Sequence, residues 1–400
     1  MTEKVDELLA RAKEHCFFLG LEDSGALLCK SNSVYSIAAI HYLQERIGIR
    51  PDATFITTPD MTITRNTERW RSGFGYGGKI TWGNGSDEFI VLNSKPNACG
   101  MLVGGLEKLP DAGQLLNRVH SMEAEETWLN GIRVEWDFYK SNHFIDIFQV
   151  KPVAEQENNL SPYAFIIHGS ACELNRDNPL GFGLYFDKSP LLAQMAEQME
   201  TPFGCFTFLT GRAAQRYLQR YAEVEEFARQ KRLLAARKLF GDFTLISNHT
   251  HQGLINLNEI ILGCNHVKDY GQLFPVALRD DLPAFLVRGR ASMSPSVIES
   301  AGFEKRAREL GVYDRLLNAN IFPHGGGYTL PGVLEVNRVL NIHNNRYFEI
   351  EMLNDRGKMI VSELKEIPFE YRGRPVVQRS KELGLFDIAA KLIPRFVLKI

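Results

Sequence analysis

A chain of 400 residues, 44% hydrophobic and 24% charged, can bury a sizeable core, and its length suggests more than one domain. Its formal charge of −2 excludes recruitment of nucleic acid or anionic membrane by bulk electrostatics, so an RNA or DNA contact needs a local basic patch. No apolar run approaches the ~18 residues of a membrane span, and the charged start lacks the apolar stretch of a secretion signal, so no membrane partner is expected.

The first 54 residues read as a helical segment, because Val5, Leu8, Leu9 and Ala12, then Ile37, Ile40 and Leu43, fall at helical spacing. Residues 55 to 400 read as one further unit. Short strands and many glycines fill 55 to 105, where Gly73-Phe74-Gly75-Tyr76-Gly77-Gly78 precedes candidate strands at 79–82 and 88–93. More strands are expected at 134–139, 144–150 and 163–167. The clearest helix spans 211–240, with Tyr217, Leu218, Tyr221, Val224, Phe227 and Ala228 on one face. Arg212, Arg216 and Arg220 stand four apart and would line one flank, ordinarily a solvated face. Strand texture then returns and ends in a hairpin over 347–364 turning at Asp355-Arg356-Gly357. Strands and helices do not alternate regularly, which points to an α+β fold and not a doubly wound sheet.

Five patches along this frame carry chemistry. Cys99 follows Pro96-Asn97-Ala98 and precedes Gly100-Met101; a thiolate there could bind or bridge divalent metal, while a lone cysteine beside apolar residues is more often a small buried hydrophobe. His143 follows Asn142 and opens the strand Phe144-Ile145-Asp146. His168 closes an apolar run and precedes Gly169-Ser170, an arrangement that projects a ligand from a sheet edge. His249 and His251, two apart, would share one face of a strand, and one of them suffices as a ligand. His324 precedes Gly325, Gly326 and Gly327, whose amides can approach an anion, and it suits a base, a metal ligand or a nucleophile toward phosphorus. The same His-Gly-Gly-Gly string resembles the oxyanion loop of α/β-hydrolases, but the Gly-x-Ser-x-Gly elbow is missing. The six cysteines are scattered without a Cys-x-x-Cys pair, which suits reduced thiols and a cytoplasmic location.

Taken in order, the patches resemble the RtcB family of RNA ligases. Thr58-Pro59-Asp60, Cys99-Gly100-Met101, Asn142-His143-Phe144-Ile145-Asp146, Ile167-His168-Gly169-Ser170, His251-Gln252, His266-Val267-Lys268, Pro323-His324-Gly325-Gly326-Gly327 and Lys399 follow the family's motif order over residues 55 to 400. The resemblance implies an α+β fold with mixed sheets around a central metal and nucleotide site flanked by helices. It also implies an enzyme that joins RNA 3′-phosphate or 2′,3′-cyclic phosphate ends to 5′-hydroxyl ends, using GTP and manganese. His324 would carry the guanylate; Cys99, His143, His168 and His251 would hold metal; Asn142, Gly325, Gly326, Gly327 and Lys399 would contact the nucleotide. Gln252, where the family has asparagine, favours His251 over His249. The arginine row at 212, 216 and 220 becomes a candidate RNA-backbone contact. RNA ends and GTP are the expected partners, with an activating protein as a further candidate. The chain departs from the family at Pro96, where a metal-binding aspartate belongs, and at Ala171 and Tyr328, where arginines belong; Asp146 replaces a glutamate. Those departures keep two alternatives open: a relative that binds RNA ends without joining them, and a single-metal phosphoesterase.

Overall fold

Eleven strands form one mixed sheet in the computed structural model, which describes residues 2–138, 142–153, 159–343, 345–353, 357–365 and 367–398. In chain order they are β1 (Cys16–Phe17), β2 (Thr54–Thr62), β3 (Tyr76–Thr81), β4 (Cys99–Leu106), β5 (Phe144–Pro152) and β6 (Tyr163–Gly169), then β7 (Thr244–Asn256), β8 (Glu259–Leu262), β9 (Leu273–Val276), β10 (Ala284–Gly289) and β11 (Phe386–Val397). They lie side by side as β1-β2-β3-β8-β7-β4-β6-β5-β11-β10-β9. β1 and β2 run parallel, and the remaining neighbours are antiparallel. The fold is α+β.

Period-two alternation gives the middle of this sheet two faces. Leu102, Ile145, Ile147, Phe165 and Ile167 pack with Ala235, Ala236 and Leu239 of the long helix Gly211–Phe240. The residues between them, Met101, Val103, Phe148, Val150, Ala164 and Ile166, face the other way and meet Ala284, Leu286, Ala390 and Leu392 of β10 and β11. Each large side chain buried in this way contributes roughly 1.5–3 kcal/mol. The long helix is built from good helix formers, without proline, and ends at Gly241 in the left-handed region at φ 71°. Among the helices before it are α1 (Thr2–Glu14) and α2 (Ser24–Arg46), and the long helix is labelled α3. Leu8 and Ala12 of α1 and Ile37, Ile40 and Leu43 of α2 share a core with Phe55, Ile80 and Trp82, so the N-terminal helices pack against the residues that follow. No helix among the described residues is long and apolar enough to cross a membrane.

Two expectations change. Residues 134–138 are irregular instead of a strand; a two-residue pairing of Trp128–Leu129 with Ile132–Arg133 precedes them, and 139 lies outside the described residues. Within this stretch the Asp137 carboxylate is buried against Ser170, His143 and Lys231. The strand expected at 88–93 forms at Phe89–Val91, in a separate three-stranded sheet with Gly204–Thr210 and Glu197–Thr201. The arginine row breaks: Arg212 and Arg216 are exposed, but Arg220 is buried, donating to Phe182 O at 3.0 Å and Asn178 Oδ1 at 2.9 Å. Each four-residue step drifts about 40° around a helix of 3.6 residues per turn, which carries Arg220 toward the face of Tyr217 and Tyr221. An unbroken basic stripe for RNA is therefore absent from this flank. The C-terminal hairpin pairs Asn345–Met352 with Lys358–Val361; 354–356 of its turn lie outside the described residues.

Candidate metal centre and active site

Strand register, which no local motif encodes, assembles the patches. Across neighbours β7, β4, β6 and β5, Gln252 stands opposite Cys99, Met101 opposite His168, and His168 opposite Phe144. Cys99 begins β4, His168 lies near the end of β6, His143 directly precedes β5, and His251 belongs to β7. All four line one cleft of about 580 Å³, which Met101, Phe144 and Phe148 place on the sheet face away from α3.

Cys99 Sγ lies 3.2 Å from His143 Nε2 and 3.0 Å from His168 Nε2, and one donor atom from each of the three residues falls within 4.8 Å of the others. The far side of each ring is already committed. His143 Nδ1 donates to Asp137, with the main-chain oxygen at 3.0 Å and Oδ2 at 3.1 Å; His168 Nδ1 donates to Asn142 O at 3.0 Å. Both Nε2 atoms therefore converge on the sulfur, the arrangement by which outer partners would orient imidazoles on a bound metal, where an ion would take the place of the His143 Nε2 proton. The group can hold a metal ion. Burial disfavours charge on His143, but the Cys99 sulfur and the Asp137 carboxylate outweigh it and hold its pKa up at about 10. Burial pushes His168 and His251 well below the usual imidazole range, aided by neighbouring imidazoles, so both are neutral and competent to ligate. His251 Nε2 reaches His168 Nε2 at 3.2 Å and stands outside the three-donor group.

His324 completes a row of four imidazoles, its ring centre 4.4 Å from that of His251. Asp60, fully buried in β2, fixes it. Oδ2 of Asp60 accepts from His324 Nδ1 at 3.0 Å and from the His324 and Gly325 amides at 3.2 and 3.3 Å, while Oδ1 accepts from Thr58 Oγ1 at 2.5 Å. This leaves Nε2 as the reactive ring nitrogen. The glycines after His324 line the cleft but serve packing first: a Cβ on Gly326 would strike Arg372 O, and Gly327 sits at φ +67° against Asp60 O. The Gly325 amide, expected to face an anion, is taken by Asp60. Arg372, buried and paired with Asp23 at the N-cap of α2, also donates to Asp60 O at 3.2 Å and ties the loop to that helix.

The remaining expected residues are placed as follows. Asn142 lines the cleft, and Lys399 lies outside the described residues. A β-bulge at Thr250/Gln252 breaks strand parity, so His249 does not share the cleft with His251; it stacks on Phe274 at 4.2 Å. In the turn before Cys99, Asn97 Oδ1 accepts from the Cys99 amide at 3.0 Å, which commits the oxygen nearest the missing carboxylate. Gly100 is required because a Cβ there would meet Arg232 Nη2 and His249 O. Tyr328 packs among Tyr371 and Phe369, with ring centres 5.0 Å away in both cases, and Tyr328 and Tyr371 line the cleft.

Sequence reading missed the residues that support the site. Asp60 stood in a recognised motif without a role. Asp137 had no local signal; it accepts from Ser170 Oγ at 2.8 Å and pairs with Lys231 at 3.1 Å. One consequence is measurable at once. Cys99→Ser exchanges the soft donor for a hydroxyl and is expected to lower zinc or cobalt affinity at least about 100-fold, read by metal titration, since even outer-shell losses cost 10–100-fold. No protein-family model matches the chain, and no curated protein matches it in sequence.

Proposed function

We propose that this chain is a metal-dependent, nucleotidyl-transferring RNA ligase of the RtcB type, acting through His324. The observation that carries the reading is the Asp60–His324 pair, which holds an imidazole with Nε2 free in the same cleft as the Cys99, His143 and His168 donors. A carboxylate on Nδ1 fixes the tautomer and offsets the charge that appears when Nε2 forms a bond. His324 Nε2 attacks the α-phosphorus of GTP, and pyrophosphate leaves. An oxygen of the RNA 3′-phosphate then takes the guanylate, releasing the histidine. The RNA 5′-hydroxyl finally attacks that 3′-phosphorus, and GMP leaves as the new phosphodiester forms. Cys99, His143 and His168 would hold a divalent ion, which would neutralise charge on phosphate oxygens. Tyr328 and Tyr371 offer aromatic faces at the place where the family carries arginine, which suits stacking of a base.

Manganese is carried by the resemblance alone. A thiolate with two imidazoles ranks zinc, cobalt and iron above manganese, which prefers oxygen. A second reading, a single-metal phosphoesterase, is supported by the three-donor group itself: three protein ligands leave a fourth position for water. One reaction separates them. An RNA with a 3′-phosphate is incubated with a 5′-hydroxyl RNA, GTP and manganese, cobalt or zinc. Joined product that disappears in His324→Ala is expected. Release of phosphate without joining supports the phosphoesterase, and neither product with any metal contradicts both.

A further inference from the structure

One guanidinium reaches the three strands that bring Cys99, His168 and His251 together. Arg232 of α3, 1% exposed, donates from Nε to Asn248 Oδ1 at 2.9 Å, and from Nη1 to Gly169 O at 3.0 Å and Ala98 O at 3.5 Å. Ala98 directly precedes Cys99 at the start of β4, Gly169 directly follows His168 on β6, and Asn248 stands three residues before His251 on β7. Asn248 is itself clamped to the helix, because its Nδ2 donates to Arg229 O at 3.0 Å. The sequence leaves room for this fork: a Cβ on Gly100 would lie 2.8 Å from Arg232 Nη2.

A fully buried cation ordinarily has a carboxylate beside it, as Lys231 does one position earlier on the helix. Arg232 forms no such pair among the described residues, and its three acceptors are neutral oxygens. Burial lowers its pKa to about 10, with the Cys99 sulfur foremost among the groups acting the other way, so it stays charged near neutral pH. An apolar side chain of similar volume would fill the same space without burying a charge. What only a planar fork supplies is the set of bonds to the residues beside Cys99 and His168. We propose that Arg232 is a positioning residue of the metal centre, fixing the spacing of Cys99 and His168 from the helix side of the sheet. This role rests on the reading of Cys99, His143 and His168 as metal donors and is independent of the chemistry at His324.

The test is titration of the whole chain with cobalt(II), followed by its d–d bands and its thiolate-to-metal charge-transfer absorption, in wild type, Arg232→Met, Arg232→Lys and Arg220→Met. Arg232→Met is expected to bind cobalt about 10- to 100-fold more weakly and with an altered d–d spectrum, the size of effect that losing an outer partner has on a metal site. Arg232→Lys keeps the charge without the fork and is expected to fall between it and wild type. Arg220 is also buried on α3, about three turns away, and bonds to Phe182 O and Asn178 Oδ1. Arg220→Met therefore reports lost helix packing alone and is expected to leave affinity and spectrum as in wild type. Should Arg232→Met not fold, Arg232→Lys decides. Wild-type affinity and spectrum in the folded Arg232 variants, or an equal loss in Arg220→Met, overturns the proposal. A wild type that binds no cobalt overturns the metal reading itself, and this role with it.

Discussion

Asp60→Asn is expected to slow transfer of guanylate to His324 by on the order of 10²- to 10⁴-fold, because a comparable exchange at a carboxylate that orients a catalytic imidazole costs about 10⁴. The reasoning is local. Oδ2 of Asp60 accepts three hydrogen bonds, from the ring and from two amides of the same loop. An asparagine amide in that position either presents its own N–H groups to three donors or turns its oxygen and loses the charge. In the first case the imidazole no longer has its Nδ1 proton held, and the tautomer with a free Nε2 is no longer enforced; in the second the hydrogen bond survives, but the charge that offsets a bond formed at Nε2 is gone. The loop glycines are packed against Asp60 O and Arg372 O, so the backbone has little freedom to adjust. The readout is the initial rate of covalent labelling. Asp60→Glu, which keeps the charge but displaces it, is expected to fall between asparagine and wild type.

Lys231→Met is expected to destabilise the protein by roughly 3–5 kcal/mol, the range for removing one partner of a buried ionic network. Lys231 is fully buried on α3 and pairs with Asp137 and Glu173, each at 3.1 Å, while donating to Glu135 O at 2.6 Å and Ser170 O at 3.0 Å. Methionine matches its length but strands two buried carboxylates. The effect depends on pH with a definite sign. Burial alone would raise the Asp137 pKa, but His143 and Lys231 overcome it and hold the carboxyl below its usual range. Its contribution to wild-type stability is therefore present above the unfolded carboxyl pKa and is lost on acidification. The gap between wild type and Lys231→Met narrows accordingly as pH falls through the carboxylate range, read by denaturant unfolding at several pH values. The same variant loosens Asp137 and with it His143, so its metal affinity also drops.

Periodicity made the secondary elements around the site legible. α3 spans the helix read from 211–240, and β5 and β6 cover the segments expected from apolar runs, because both patterns are local. What the chain does not announce is register and long-range pairing. Cys99 and His168 become neighbours through β4 and β6, which are 69 residues apart at those positions. Lys231 looks like one more charge on a charged helix, yet it lies beneath the site. Arg220 looks like part of a stripe, yet helical drift buries it. His249 and His251 obey strand parity until a bulge, invisible in composition, separates them. Asp137 sits in a stretch with strand-like composition that is irregular, and its carboxylate pairs with Lys231, 94 residues away in sequence. In each case the missing information is a contact between segments far apart in sequence.

The central claim is that His324 is a nucleophile toward phosphorus, and one measurement addresses it directly. The protein is incubated with GTP labelled at the α-phosphate and with manganese, cobalt or zinc, then denatured. A covalent label that is acid-labile and alkali-stable, present on wild type and absent from His324→Ala, is the expected result. Absence of label with every metal, or label that persists in His324→Ala, contradicts the account.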